Sequence, residues 1–464
     1  MAQNTWMGTG LLCLFGFLWV ACGDPIERHI GQLIEGGEAA EDAKIELNMA
    51  KKTAIAPLIE AFGNDVHPLR ARMDMADALY KLYLREADER ILQTLIGALK
   101  DGQANVRGGV AHSLGNLNKK ESVGPLIEQL EREADDGVRT EILAALEVMG
   151  MGWGETLDMS KLSDEQKAHF THLLTGMMQE DLPDTLRKKT AEWLENMGEE
   201  RAQKAHRELL KGNISGAEAL LLEARDLLPE SKNLNQKLGR FYYDNEDADK
   251  GIDYLEAQGM VARARPLKRR PQLDGDLREA AWQGVAPLTE FYQCIDILSA
   301  YATEGRVEAY VGYVGQTLYV GIKGYEPSTK GLVAQYSGRD HERTWRDDCI
   351  EIFIDANHDY DSYYQLIANS RGALLDTYND GSARFGDSAW SADFGVATKV
   401  EPDYWSIEVE IPAGYLHGSA IEAGTIWGFN LGRIRIGNAS EYGQWVPTYG
   451  FAHRPDRFGF LIFE

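Results

Sequence analysis

The sequence predicts a multidomain α + β protein, with an α-solenoid first and an antiparallel β-sandwich last. Three observations carry this reading. Residues 24–260 show helical periodicity and almost no strand pattern. Within them Leu58, Leu95 and Leu126 occupy equivalent places in a pattern that recurs about every thirty to forty residues, the period of a two-helix solenoid. From residue 263 the composition turns to Tyr, Trp, Val, Ile and Gly with period-two alternation, which means strands.

Composition bounds the function. A net charge of −25 over 464 residues argues against nucleic-acid binding, because a phosphate backbone needs a basic face. The apolar run Leu11 to Ala21 is too short to span a bilayer as a helix. It ends in Leu18-Trp19-Val20-Ala21-Cys22, and the chain turns polar at Gly23-Asp24. This resembles a bacterial lipoprotein signal. The resemblance implies that residues 1–21 are removed, that Cys22 carries lipid, and that the lipid is the only membrane contact. Gly23 in place of Asp after that cysteine favours the outer membrane. An ordinary cleaved signal peptide is the alternative, and both readings export the protein. Export places Cys294 and Cys349 in an oxidising compartment, either as a pair or as two separate thiols with Cys349 in the core.

The helical region divides in two. In residues 22–160, Ala56 to Phe62, Thr94 to Leu99 and Gly124 to Leu130 are apolar helix faces. Each is followed by a polar turn and an apolar residue with Arg: Leu69-Arg70, Val106-Arg107 and Val138-Arg139. The arginine is expected to bond the preceding turn. This stretch resembles HEAT repeats. In residues 161–262, two helix pairs turn at Gly212-Asn213 and Asn245-Glu246-Asp247, an offset similar to that of tetratricopeptide repeats. These are expected to cap the solenoid. The solenoid itself is read as a spacer or as the docking face for a protein partner.

In the last region, residues 263–464, Arg263 to Pro271 reads as a basic linker. Strands are predicted at Arg306 to Tyr313, Gln316 to Ile322, Cys349 to Asp355, Trp405 to Ile411 and Trp427 to Arg435. An ordered set of motifs runs through them. It opens with Leu273-Asp274-Gly275-Asp276 and Ala281-Trp282, passes Trp345 to Asp355, Tyr363-Tyr364-Gln365 and Asn369-Ser370-Arg371-Gly372, and ends with Gln444-Trp445 and Phe458-Gly459-Phe460. The set resembles the carbohydrate-binding family 9-like modules.

That resemblance implies non-catalytic binding of a polysaccharide or oligosaccharide, in support of polysaccharide breakdown. Two tryptophans would stack on the apolar faces of a sugar ring while polar groups hold its hydroxyls. By motif position these are Trp345 and Trp445, with Glu351 and Arg371 as charged partners and Gln365 and Asn369 as further contacts. Trp445 also reads as a packed aromatic. Asp355, Asn357, Asp359 and Asp361 place oxygens at alternate positions, a pattern that suits Ca²⁺ and equally an Asx-rich turn. Asp347, Asp348 and Glu351 raise the question of a glycosidase, but adjacent acids on an extended chain face opposite ways. No nucleophile elbow, zinc motif or phosphate loop is present. The chain is therefore read as a binding protein. An envelope scaffold with no sugar ligand, or an accessory part of a glycoside hydrolase system, is the alternative.

Overall fold

The computed structural model describes residues 24–150, 162–293, 300–382, 385–418 and 420–464. Cys22 and Cys294 lie outside them. The chain forms two compact units that divide between Leu194 and Glu195.

The first unit is helical: α1 (Pro25–Glu35), α2 (Glu38–Asn48), α3 (Ile55–Phe62), α4 (Leu69–Glu86), α5 (Glu89–Gly97), α6 (Ala104–Leu117), α7 (Lys120–Arg132), α8 (Asp136–Gly150), α9 (Asp164–Met177) and the start of α10 (Asp184–Leu210). The equivalent residues Leu58, Leu95 and Leu126 are all fully buried. Each is worth about 2 kcal/mol of transfer free energy. The second helices of successive pairs pack closely. A Cβ on Gly115 would lie 2.7 Å from Ala145 Cα, so α6 meets α8 at a distance only glycine allows.

The arginines tie one repeat to the next. Arg107 donates to the Asp101 carbonyl at 2.8 Å and reaches Glu133 with two bonds of 2.7 Å. Arg139 bonds Glu180 at 2.8 Å. In the first repeat the ladder uses Arg72, which is buried and bonds Asp101 and the Phe62 carbonyl, whereas Arg70 is exposed and pairs with Glu41. Two residues, about half a helical turn, separate inside from outside here, and Arg70 of the motif falls on the outside.

The second unit contains the rest of α10, then α11 (Ile214–Leu227), α12 (Lys232–Asn245) and α13 (Ala248–Ala257). Their turns fall where the sequence puts them. These helices pack on the sandwich. Leu255 belongs to the sandwich core, and Tyr243 and Ile252 pack against it. Gln236 Nε2 donates to the Arg457 carbonyl at 2.8 Å.

Among the described residues the strands that follow are β1 (Val261–Pro266), β2 (Tyr292–Gln293), β3 (Tyr301–Ala302), β4 (Val307–Val314), β5 (Thr317–Tyr325), β6 (Cys349–Asp355), β7 (Tyr363–Asn369), β8 (Leu374–Asn379), β9 (Gly395–Val400), β10 (Tyr404–Pro412), β11 (Ile426–Arg435), β12 (Glu441–Gln444) and β13 (Gly459–Phe463). One layer is β4-β5-β10-β9. The other joins β3-β2-β12-β11-β13 to β6-β7-β8 through β11. All ladders are antiparallel except those of β1, which runs parallel to β13 through Val261–Ala264 and then to β4 through Arg265–Pro266. The start of the predicted basic linker is thus a strand that passes from one layer to the other, and the predicted boundary at 263 cuts it. Arg263 and Arg265 turn their charges outward to Glu256 and Glu464.

Along β6, Ile350, Ile352 and Ile354 enter the core between the layers with Val311, Val320, Ile407 and Leu431. Cys349, Glu351 and Phe353 therefore face the opposite side of that sheet. Cys349 is a buried free thiol, held well above its ordinary pKa by burial. No helix among the described residues is long and apolar enough to cross a membrane.

Candidate functional site

The face of the β6–β7–β8 sheet that carries Glu351 forms the floor of a 740 Å³ pocket. Strand register assembles it. Phe353 pairs with Gln365 and Glu351 with Ile367; Gln365 then pairs with Thr377 and Ile367 with Leu375. On the other side of β6, Glu351 pairs with Gly432 of β11, and Tyr442 of β12 pairs with Ile434. A Cβ on Gly432 would lie 2.9 Å from Glu351 Oε2 and 3.1 Å from the Tyr442 hydroxyl, so this glycine makes room for the polar pair.

Glu351 is the polar centre. Gln365 Nε2 donates to its Oε1 at 2.9 Å. Burial pushes its carboxyl up to about 7, although bonds from Tyr442 and Gln365 pull the other way. A group held there exists in both forms at neutral pH, able to accept or to donate to a hydroxyl.

Aromatic rings wall the pocket. Trp345 sits on the 3₁₀ turn Thr344–Arg346, is 47% exposed, and carries the Arg346 guanidinium 5.0 Å over its ring. Phe385 and Phe451 meet edge to face at 5.7 Å, and the His453 ring lies beside Phe451 at 4.9 Å. His453 Nδ1 is 2.7 Å from the Tyr363 hydroxyl, which fixes the imidazole. The loop bearing Phe385 approaches β8 closely: a Cβ on Gly386 would lie 2.6 Å from Thr377 Oγ1.

Of the six residues expected to bind sugar, the pocket brings three together: Trp345, Glu351 and Gln365. Trp445 is in the core, 3% exposed and packed on Phe429. It follows Tyr442 by three positions, and an odd step along extended chain changes face. Asn369 is fully buried; its Nδ2 bonds Asp347 and the Tyr336 carbonyl, and its Oδ1 takes the amides of Arg371 and Ala373. Arg371 lies on the following turn, exposed, and donates to the Ala334 carbonyl at 3.3 Å, outside the pocket lining. The sequence reading missed Tyr442, Phe385, Phe451 and His453. The run Gly450-Phe451-Ala452-His453 carried an aromatic signal, but it lies on a loop with no strand period.

The neighbouring acids are structural. Asp347 accepts the amides of Gln335 and Tyr336, and Asp348 those of Val333 and Ile436. In the loop after β6, both Asp355 oxygens accept amides, from Asp359 and Tyr360. Asp359 Oδ1 accepts the amides of Asp361 and Ser362, and its Oδ2 accepts from Asn357 Nδ2 at 2.7 Å. Burial raises the Asp355 carboxyl to about 6. These oxygens of Asp355 and Asp359 accept donors within the loop, as in an Asx-rich turn. Among the described residues no group of three or more His, Cys, Asp or Glu is placed to hold a metal ion.

Residues 273–461 match the family described as Carbohydrate family 9 binding domain-like. Residues 71–147 match HEAT repeats. No curated protein matches the chain. Among solved structures, a carbohydrate binding module family 9 from Caldicellulosiruptor kristjanssonii, in complex with cellotriose, is 22% identical over 44% of this chain and 94% of its own, with a TM-score of 0.33. The same module with glucose is also 22% identical, over 44% of this chain and 96% of its own, with a TM-score of 0.32. The complex of CpcE and CpcF of phycocyanin lyase from Nostoc is 20% identical over 36% of this chain and 95% of its own, with a TM-score of 0.27. The family 9-like domain thus contains the whole pocket, and the HEAT match covers the arginine ladder from Arg72 to Arg139.

Proposed function

We propose that the family 9-like domain binds a sugar ring of a polysaccharide or oligosaccharide in the pocket over β6, β7 and β8, without cleaving it. The observation that carries this is one concave site in which rings for stacking, Trp345, Phe385 and Phe451, surround hydroxyl-binding groups, Glu351, Gln365 and Tyr442. A pyranose offers apolar C–H faces and a polar rim, and such a site meets both. Phe451 takes the stacking role that the family resemblance implied for Trp445. The non-catalytic reading is supported by Asp347 and Asp348, whose carboxylates hold backbone amides.

The chain is further proposed to be exported and lipid-anchored at Cys22, with the HEAT repeats as spacer or protein-docking arm and the sugar site serving glycan breakdown. The Leu18 to Cys22 segment supports the anchor. Mass spectrometry of the N-terminal peptide, from wild type and Cys22→Ser, tests it.

A glycan array with wild type and Trp345→Ala tests the sugar reading. Wild type is expected to retain a defined set of glycans that the variant loses. Equal retention by both would remove the pocket from the proposal, and no retention by wild type would favour the scaffold.

A further inference from the structure

A second cavity, of 510 Å³, lies within the C-terminal unit, away from the residues that line the sugar pocket. Its walls are the C-terminal part of α10, the helix α12 and the turn at Arg454–Arg457. The chain as a whole carries a charge of −25, yet this cavity concentrates cations. Two of them are balanced. Lys237 pairs with Glu199 at 3.3 Å, and Arg454 grips Asp456 with bonds of 2.8 and 2.7 Å.

Two more are not. Arg457 donates to neutral oxygens, Asn233 Oδ1 at 2.6 Å and Gln236 Oε1 at 3.1 Å. Arg240 donates to the Phe458 carbonyl and lies over the rings of Tyr360 and Phe460, 4.7 and 4.4 Å from their centres. Its Nη1 is buried with no hydrogen-bond partner. Neither arginine has an ion pair with a carboxylate among the described residues. The cations also act on one another: burial lowers the pKa of Lys237 and of Arg457 and the neighbouring arginines lower both further, against the opposing pull of Glu199 on both and of Asp456 on Arg457. The Arg240 and Arg457 side chains are half-buried. Partly buried guanidinium donors facing neutral acceptors are costly, and an oxyanion with several acceptor oxygens relieves that cost.

We propose that this cavity binds a phosphate or sulfate group between α12 and the Arg454–Arg457 turn. The proposal is independent of the sugar reading, since the two sites share no residue.

The test is calorimetric titration of the full chain with inorganic phosphate and with inorganic sulfate, at an ionic strength held constant with sodium chloride. Saturable 1:1 binding of one or both is expected, and Arg454→Gln should weaken it tenfold or more. Arg454 is 42% exposed at the rim, so that variant is expected to fold. Circular dichroism checks this, and Arg207→Gln, on an exposed position of the same wall, serves if it does not. A preference for phosphate points to a phosphate ester as ligand, and one for sulfate to a sulfated glycan. Acetate bound as tightly as phosphate, heat no greater than for chloride, or unchanged affinity in a folded variant would each overturn the proposal.

Discussion

Gln365 on β7 donates its amide hydrogen to Glu351 on β6 at 2.9 Å, and this bond fixes the polar floor of the pocket. Because burial raises the Glu351 carboxyl from 4.5 to about 7, the folded state holds its proton more tightly than the unfolded chain. The stabilisation is therefore full below pH 4.5 and is lost as pH rises towards 7, at a cost of roughly 3 kcal/mol once the group is ionised. Glu351→Gln removes that titration while keeping the shape. Denaturant unfolding of residues 195–464 should show the variant more stable than wild type at pH 8, by roughly 2 kcal/mol, and no more stable at pH 4.5. Glu195, raised to about 7 mainly by burial, leaves both proteins some pH dependence. An equal gain at both pH values would show that Glu351 does not titrate in this window.

Trp445 and Phe451 divide stability from binding. Trp445→Ala opens a cavity beside Phe429, and a loss of about 3–5 kcal/mol is expected for a buried Trp. Phe451 is only partly buried, so Phe451→Ala should cost about 1 kcal/mol or less while weakening glycan binding roughly tenfold. Paired thermal melts and affinity electrophoresis on a retained glycan would read both. If Trp445→Ala lost binding and kept its melting temperature, the roles assigned to these two rings would be exchanged.

What the sequence made legible follows from period. The HEAT-like helix faces and the alternation along β6 have fixed spacing, so Leu58, Leu95 and Leu126 in the core and Glu351 on the outer face could be read from one chain. Side chains on irregular segments could not. Phe385, Phe451 and His453 reach the pocket through loops, whose direction no local pattern sets. Trp445 misled because the motif fixes its place in the chain, whereas its face depends on where β12 ends. Arg371 and Asn369 misled for a related reason: the turn after β7 spends Asn369 on its own amides. The strand β1 was hidden in a basic, proline-bounded stretch because its charges turn outward at the rim.

A buried ionic network also escaped the sequence reading. Glu326 receives Arg433 at 2.6 Å and Arg435 through two bonds of 2.9 Å, and Arg435 also reaches Glu441 at 2.8 Å. All four side chains are nearly inaccessible. Glu326→Ala would leave two guanidiniums facing each other without an anion between them. Removal of one partner from a buried ion pair costs about 3–5 kcal/mol, so the C-terminal unit should lose that much. Denaturant unfolding would measure it. A loss below about 1 kcal/mol, within the range for exposed pairs, would mean that water reaches the network.

The helices α11–α13 are expected to be part of the sandwich's stability. Met260 passes its carbonyl to the Phe460 amide at 3.0 Å, the ring of Tyr243 meets Phe460 at 4.7 Å, and Leu255 and Met260 are 2% and 3% exposed in the same core. A chain of residues 261–464 keeps every strand but uncovers Phe460 and Phe458, whose partners sit on α12 and just after α13. Each buried apolar side chain contributes about 1.5–3 kcal/mol, so loss of Tyr243, Leu255 and Met260 together should remove roughly 5 kcal/mol or more, enough to unfold many domains of this size. Residues 195–464 should instead unfold in one cooperative transition, with helix and strand signals lost together. Circular dichroism and intrinsic fluorescence followed through the same melt would decide it. Equal stability of the two fragments, or a helical transition well separated from the loss of tryptophan signal, would show that the helices are only tethered to the sandwich.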